Sequence, residues 1–245
     1  MMPELPEVET ITQDLIHAGL VGVIIKEGHV FWERSIAVPK VNTFIHSITG
    51  RTIKDIFRRG KYIVFDLNKK SHLLVHLRMS GRMMVVPSNE SWEKHQHVII
   101  RCQNGMDLRL HDPRKFGRFY FVNDINEIVG RLGPEPLSNS FKWTKLKQIL
   151  ISRRRMIKPL LLDQHMIAGL GNIYVDEALW KACIHPVTLS NVLSDQQIKT
   201  LFKAIQRVLR RGLRNRGTAL GKGVNNFAPI GPKKGTNQHQ LKVFR

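Results

Sequence analysis

Carboxylates are scarce in this chain. Nineteen Asp and Glu residues stand against thirty-nine Lys and Arg, a net charge of +20 over 245 residues. That imbalance makes a polyanion the first partner to consider, with nucleic acid ahead of an anionic membrane surface. Cysteine is nearly absent too. Cys102 and Cys183 are too few and too far apart for a zinc site or a disulfide framework, so each is expected to be a buried thiol. No run of about 18 apolar residues occurs, which argues against a membrane-spanning helix, and the acidic start is the opposite of a signal peptide's basic opening. The expectation is an intracellular protein, cytoplasmic and nucleoid-associated.

What is present points to a folded molecule. Hydrophobic residues make up 42% and charged residues 24% of the chain, a globular composition with length for one or two domains. The basic residues are spread through segments that otherwise read as folded, which favours a shaped, salt-sensitive binding face over a disordered tail.

The first half reads as strands. Val21–Ile25, Tyr62–Phe65, Leu73–Leu77, His97–Ile100 and Phe119–Val122 are short β-rich runs with no helix of crossover length between them, the pattern of an antiparallel sandwich or barrel. Gly133-Pro134-Glu135-Pro136 then breaks the chain, and a domain boundary is placed there. Beyond it the sequence reads helical. Ser194 and Gln197 form a capping-box signature. Ile198, Leu201, Phe202, Ile205, Val208, Leu209 and Leu213 follow with helical period, and the rest of that helix is largely basic, a face that is ordinarily solvated surface. Gly169 and Gly171 let the chain turn and bare its amides, and Asn172 begins the next helix, so a phosphate would fit there. The Gly-rich stretch from 217 to 235 is longer than a connector requires and reads as a lid.

The N-terminus carries the most chemistry. In Met2-Pro3-Glu4-Leu5-Pro6-Glu7-Val8-Glu9, removal of Met2 would leave Pro3 as a secondary amine, able to condense with a sugar aldehyde carbon and form an electron-accepting iminium. An α-amino group titrates near pH 8, so a useful fraction of about a tenth is neutral near pH 7. The same residues also suit a helix start. Pro6 fits the first turn, Glu7 and Glu9 favour the positive end of the dipole, Val8, Ile11 and Leu15 form one stripe, and Gly19 is a plausible stop. The two readings are compatible.

Five motifs in order, the N-terminal segment, Arg59-Gly60-Lys61-Tyr62, His76 to Gly81, Asp112 to Gly117 and Gly169 to Tyr174, resemble the formamidopyrimidine-DNA glycosylase family. Leu5 is similar to the formamidopyrimidine branch, whereas the endonuclease VIII branch has glycine there. The resemblance implies an α+β fold: an antiparallel β-sandwich with flanking helices over residues 1–133, then a helical domain with a helix-two-turn-helix motif over 134–216. Residues 217–245 would hold a lesion-covering loop and the stub of a missing zinc hairpin. It also implies a bifunctional glycosylase and lyase that excises 8-oxoguanine and formamidopyrimidines from double-stranded DNA and acts as a monomer. Pro3 would be the nucleophile, Glu4 the general acid, and Lys61 a phosphate contact that assists elimination.

On the same resemblance, Met79, Arg114 and Phe116 fill the space left by the everted nucleotide, with the guanidinium on the orphaned cytosine. His95, Arg114, Arg153, Lys158 and Asn172 match DNA contacts. Arg153 stands where lysine is common. Two departures follow. Met1 precedes Met2, and Met2 is taken as the functional start, since a Met-Met start would leave Pro3 an internal imide. The family's four-cysteine zinc hairpin has no ligands in this sequence, so no metal or other cofactor is expected. The alternatives are a non-catalytic damaged-DNA-binding protein and, less favoured, a general nucleic-acid binder.

Overall fold

The computed structural model describes residues 2–219, 229–231 and 233–244. Helix α1 (Leu5–His17) starts where the proline and the acidic residues predict. Glu4 is its cap, with the reciprocal bonds to Glu7 of a capping box, and Gly19 at φ +74° follows its end. Val8, Ile11 and Leu15 are buried along one stripe against the β-sandwich, while Leu5 joins the core of the helical half. One helix therefore serves both cores.

The sandwich has two sheets. Strands β1 (Ile25–Val30), β2 (Ile36–Val38), β3 (Ile53–Arg59), β4 (Tyr62–Leu67), β5 (Ser71–His76), β6 (Arg82–Pro87), β7 (Gln96–Cys102), β8 (Met106–His111) and β9 (Arg118–Val122) pair as β1-β7-β8-β6 and β2-β9-β5-β4-β3. Every pair is antiparallel except β2 with β9, which is parallel. Ile63, Phe65, Leu73 and Val75 point to Val98, Ile100, Leu108 and Leu110 between the sheets. Val64 and Leu74 alternate to the outer face and pack with Val122 and Val129. Burial on both faces is why β4 and β5 read as unbroken apolar runs instead of alternating ones. Helix α2 (Val41–Ile48) and the single turn α3 (Asn126–Val129) flank the sheets.

The run Val21–Ile25 is a correction. The structure opens it with a turn at Gly22, φ +88°; Val23 and Ile24 pair only locally with Ile53 and Thr52, and the strand β1 begins at its last residue, Ile25. Charged residues interrupt strands β3 and β8 and mask them in the sequence, as in Ile53-Lys54-Asp55-Ile56.

The helical half comprises α4 (Trp143–Ile151), α5 (Ile157–Leu162), α6 (Asn172–Ala182) and α7 (Asp195–Arg214). Both bonds of the Ser194 and Gln197 capping box are present. Ile198, Leu201, Ile205, Val208 and Leu209 are buried, and Phe202 and Leu213 half-buried. Cys102 is buried as expected, but Cys183 is exposed, ending α6 in the left-handed conformation at φ +54°. Among the described residues no helix is long and apolar enough to cross a membrane.

Arg109 on β8 is fully buried and organises the loop between β6 and β7. Its guanidinium pairs with buried Asp107 at 3.0 Å and donates to the carbonyls of Glu90 and Ser91 and to Gln96 Oε1. Arg109→Ala would leave a buried carboxylate short of a partner and free two carbonyls, a loss of about 3 kcal/mol or more. Urea unfolding should show that loss; a midpoint equal to the parent's contradicts this account of the loop.

Candidate active site

Glu4 lies at the centre of the site. Its carboxylate is 2% exposed and accepts N–H bonds from Gly171 (2.8 Å), Ile173 (2.9 Å) and Tyr174 (3.3 Å) at the start of α6. A helix N-terminus offers unpaired donors and a positive dipole end, so it is a natural seat for a buried anion. These are the amides that the Gly169 to Asn172 turn was expected to turn toward a phosphate. Glu4 occupies the Gly171 amide and those of Ile173 and Tyr174 instead, the Gly169 amide donates to Gln164, and Asn172 is exposed. Pro3 is buried immediately before Glu4.

A second carboxylate sits beside the first. Glu7 accepts from the Glu4 N–H, the Tyr174 hydroxyl (2.7 Å) and the Thr218 N–H (2.7 Å). Burial pushes the Glu4 carboxyl up to about 7; Lys61 opposes this, Glu7 adds to it, and the amides of Ile173 and Tyr174 oppose it. Burial also holds Glu7 above the ordinary carboxylate range, against the bonds from Tyr174 and Thr218. Two neighbouring carboxyl groups in a dry pocket cannot both ionise easily, so this pair retains a proton near neutral pH.

Lys61 lies in the turn between β3 and β4 and is 5% exposed. Burial holds its ammonium below the usual lysine value, opposed by Glu4 and then Glu7. The turn is braced from the interdomain segment. Glu135 pairs with Arg58 at 2.8 Å and Arg59 at 2.9 Å and accepts the Gly60 N–H at 2.6 Å. Gly133-Pro134-Glu135-Pro136 is thus a clamp on the lysine-bearing turn. Nearby, His76 accepts the Arg78 N–H on Nδ1. Burial, then the charges of Arg78 and Lys61, push its pKa down to about 3, so the ring is neutral with its proton on Nε2.

The proposed void-filling residues come together at the surface. Met79 is 38% and Phe116 40% exposed. The Arg114 guanidinium lies 4.8 Å from the centre of the Phe116 ring and 4.0 Å from the Met79 sulfur. They arise from separate loops that share one anchor, buried Asp112. Its carboxylate accepts from Ser80 in the first loop and from the Arg114 and Gly117 N–H groups in the second. Its backbone N–H donates to the carbonyl of His95, and its carbonyl bonds the His97 ring at 2.9 Å. Asp112 thereby ties three loops together, a role that reading the motif as a string does not reveal.

The remaining expected contacts are dispersed. Half-buried His95, at φ +72°, packs against His97 and His111. Arg153 is exposed beside a cavity of about 350 Å3 that it shares with Pro134, Lys145 and His165. Lys158 is not brought to Glu4: it pairs with Asp176 at 2.8 Å and lines a separate cavity with Trp180 and Cys183. The middle of the 217 to 235 loop and Arg245 lie outside the described residues; its stems do not. Thr218 is held by Glu7, and the N–H groups of Ile230 and Gly231 by Asp14. Among the described residues no group of three His, Cys, Asp or Glu side chains is placed to hold a metal ion.

Residues 2–119 match the formamidopyrimidine-DNA glycosylase N-terminal domain, and residues 132–222 match the formamidopyrimidine-DNA glycosylase H2TH domain. The chain belongs to the formamidopyrimidine-DNA glycosylase family. It is 45% identical over 244 residues to the formamidopyrimidine-DNA glycosylase of Protochlamydia amoebophila, covering 100% of this chain and 88% of that protein. The corresponding protein of Herpetosiphon aurantiacus is 40% identical, over 99% of this chain and 88% of its own. Among solved structures, the complex between Lactococcus lactis Fpg and an abasic site containing DNA matches with a TM-score of 0.89 and 32% identity, covering 98% of this chain and 88% of that one. A second, of wild-type Lactococcus lactis Fpg with a N7-benzyl-Fapy-dG containing DNA, has a TM-score of 0.87, 32% identity and coverage of 98% and 87%.

For this member of the formamidopyrimidine-DNA glycosylase family, Gly171 is a sensitive position, because a Cβ there would collide with the Glu4 carboxyl group. Gly171→Ala should displace that carboxylate, lower base release at least tenfold and, because the buried carboxyl group loses its amide partners, lower the melting temperature as well. Unchanged base release in a folded Gly171→Ala protein would separate Glu4's seat from activity.

Proposed function

We propose that this chain is a bifunctional DNA glycosylase and AP lyase of base excision repair, excising oxidised purines, 8-oxoguanine and formamidopyrimidines, from double-stranded DNA. The observation that carries the mechanism is the burial of Pro3 and Glu4 side by side, with the buried Lys61 close enough for its charge to act on the Glu4 carboxyl group. In the mature protein the Pro3 nitrogen, freed by removal of the preceding residues, attacks C1′ of an everted nucleotide. The bond from C1′ to the base breaks and the base leaves with the proton of the attacking amine; Glu4 then delivers its own proton to the ring oxygen as the C1′–O4′ bond opens, which leaves the nitrogen as an iminium. The resulting iminium acidifies the C2′ proton; its removal expels the 3′ phosphate, and a second elimination expels the 5′ phosphate. Lys61 holds the backbone phosphate through these steps. Met79, Arg114 and Phe116 occupy the emptied stack and face the orphaned cytosine. His95, Arg153 and Asn172 contact backbone phosphate, and Lys158 contributes charge from outside the pocket. The enzyme acts as a monomer in the cytoplasm, at the nucleoid, and needs no cofactor for this chemistry.

Borohydride reduction during reaction with an 8-oxoguanine duplex should trap a covalent adduct whose attachment maps to Pro3. Protein shown by mass to begin at Pro3, yet forming no adduct and releasing no base, would overturn the reading in favour of a damage-binding protein without turnover.

The two ionisations set a pH dependence of definite sign. The amine must be neutral, so activity rises with pH toward the α-amino value of about 8. Glu4 must be protonated, so activity falls as pH rises through about 7. Base release therefore follows a bell with its maximum between these values. Glu4→Gln should flatten the alkaline limb and lower the rate at the optimum about 100-fold or more. A parent profile that keeps climbing past pH 9 would remove Glu4 as the proton donor.

A further inference from the structure

The cationic face of α7 is unused by the mechanism above. Lys203, Arg207, Arg210 and Arg214 recur at intervals of four, three and four residues, all four exposed, and with Gln206 they line a groove of about 380 Å3. Like charges three and four residues apart on a helix repel and destabilise it. Internal compensation is lacking. Among the described residues none of the four forms an ion pair; Asp195, the lone acid of α7, is taken by Lys147, and Glu177 is taken by Arg211 on another face. Lys199 is directed onto the Trp143 ring at 4.5 Å, so the stripe proper begins at Lys203.

The stripe faces away from the active site. The opposite side of α7 packs on α6 and α1, the helices that hold Asn172 and follow Glu4. At 1.5 Å per residue its cations span about 16 Å, enough to lie along several successive phosphates of one strand. Three of the four are guanidiniums, whose planar forks match phosphate oxygens. Gln206 is fixed at the edge of the groove through the Pro136 carbonyl.

We propose that this face of α7 is a second nucleic-acid surface, which takes the phosphate backbone of a duplex segment other than the one at the active site. It lets one protein hold two DNA segments, or hand itself from one to another during search. The proposal shares with the catalytic reading only that the partner is DNA, and its main measurement needs no turnover.

The test compares the parent with a Lys203→Glu, Arg207→Glu, Arg210→Glu variant, using fluorescence anisotropy of an undamaged 20-base-pair duplex across a salt series. A Lys203→Gln, Arg207→Gln, Arg210→Gln variant accompanies it should charge reversal impair folding, which circular dichroism reports. Either variant is expected to weaken undamaged duplex binding at least tenfold and to reduce the slope of log K against log salt by about 3, one unit per lost phosphate contact. Base release from a short 8-oxoguanine duplex should stay within twofold of the parent. Unchanged undamaged-duplex affinity and slope would overturn the proposal. So would a parallel fall in base release, which would place the stripe in the lesion interface, or a stripe-dependent binding of polyglutamate that exceeds that of duplex. A parent that releases no base would undo the catalytic reading and leave the duplex measurements fully interpretable.

Discussion

The bond set between one carboxylate and the start of one helix fixes the relation of the two halves of this molecule. Glu4 caps α1 and at the same time accepts three amides from the N-terminal turn of α6. Burying an anion is costly unless it is paired or richly hydrogen-bonded, and a helix N-terminus supplies both donors and a favourable dipole. The contact also demands exact backbone approach, which is why glycine stands at 171. Since α1 also lays Val8, Ile11 and Leu15 on the sandwich and Leu5 on the helical core, the Pro3 end of the chain is held from two sides.

The shortage of acidic residues takes on a structural meaning in this setting. Glu4, Glu7, Asp14, Asp107, Asp112 and Glu177 are all buried, and each gathers several donors. Glu177, for example, takes the N–H groups of Lys242 and Val243 together with Arg211. With much of its negative charge withdrawn to such hubs, the surface of a chain of net charge +20 is left strongly cationic. Acidic side chains fixed in the interior and an exposed positive field are complementary results of one distribution, and both suit a polyanionic partner.

Much of this was legible in the residues. The α1 start, the Ser194 cap, the α7 stripe and the grouping of Met79, Arg114 and Phe116 follow from local pattern or from the family's motifs. Less was legible where contacts join distant parts of the chain. Nothing near Gly169 to Asn172 announces that its amides hold a carboxylate more than 160 positions earlier, and a helix start that binds phosphate looks the same in sequence. Asp112 reads as one letter of a loop motif until Ser80, His95 and Gly117 are seen on it. Glu135 reads as part of a proline-rich break until its partners Arg58 and Arg59 appear. Strand β3 is obscured because Lys54 and Asp55 interrupt its apolar alternation, and pairing with β4 overrides that local signal.

The stems of the segment from 217 to 235 carry this logic one step further. Glu7 holds Thr218, Asp14 holds Ile230 and Gly231, and Arg216 joins Asp14 at 2.5 Å. Both carboxylates belong to α1, so both ends of the segment are referenced to the helix that follows Pro3. Asn237 closes the arrangement by donating to the Thr218 hydroxyl at 2.8 Å, which in turn lies 3.3 Å from that of Tyr174. The Glu4 seat on α6 and both stems of this segment are thus tied to one short helix, so a displacement of α1 would carry the seat and the stems together.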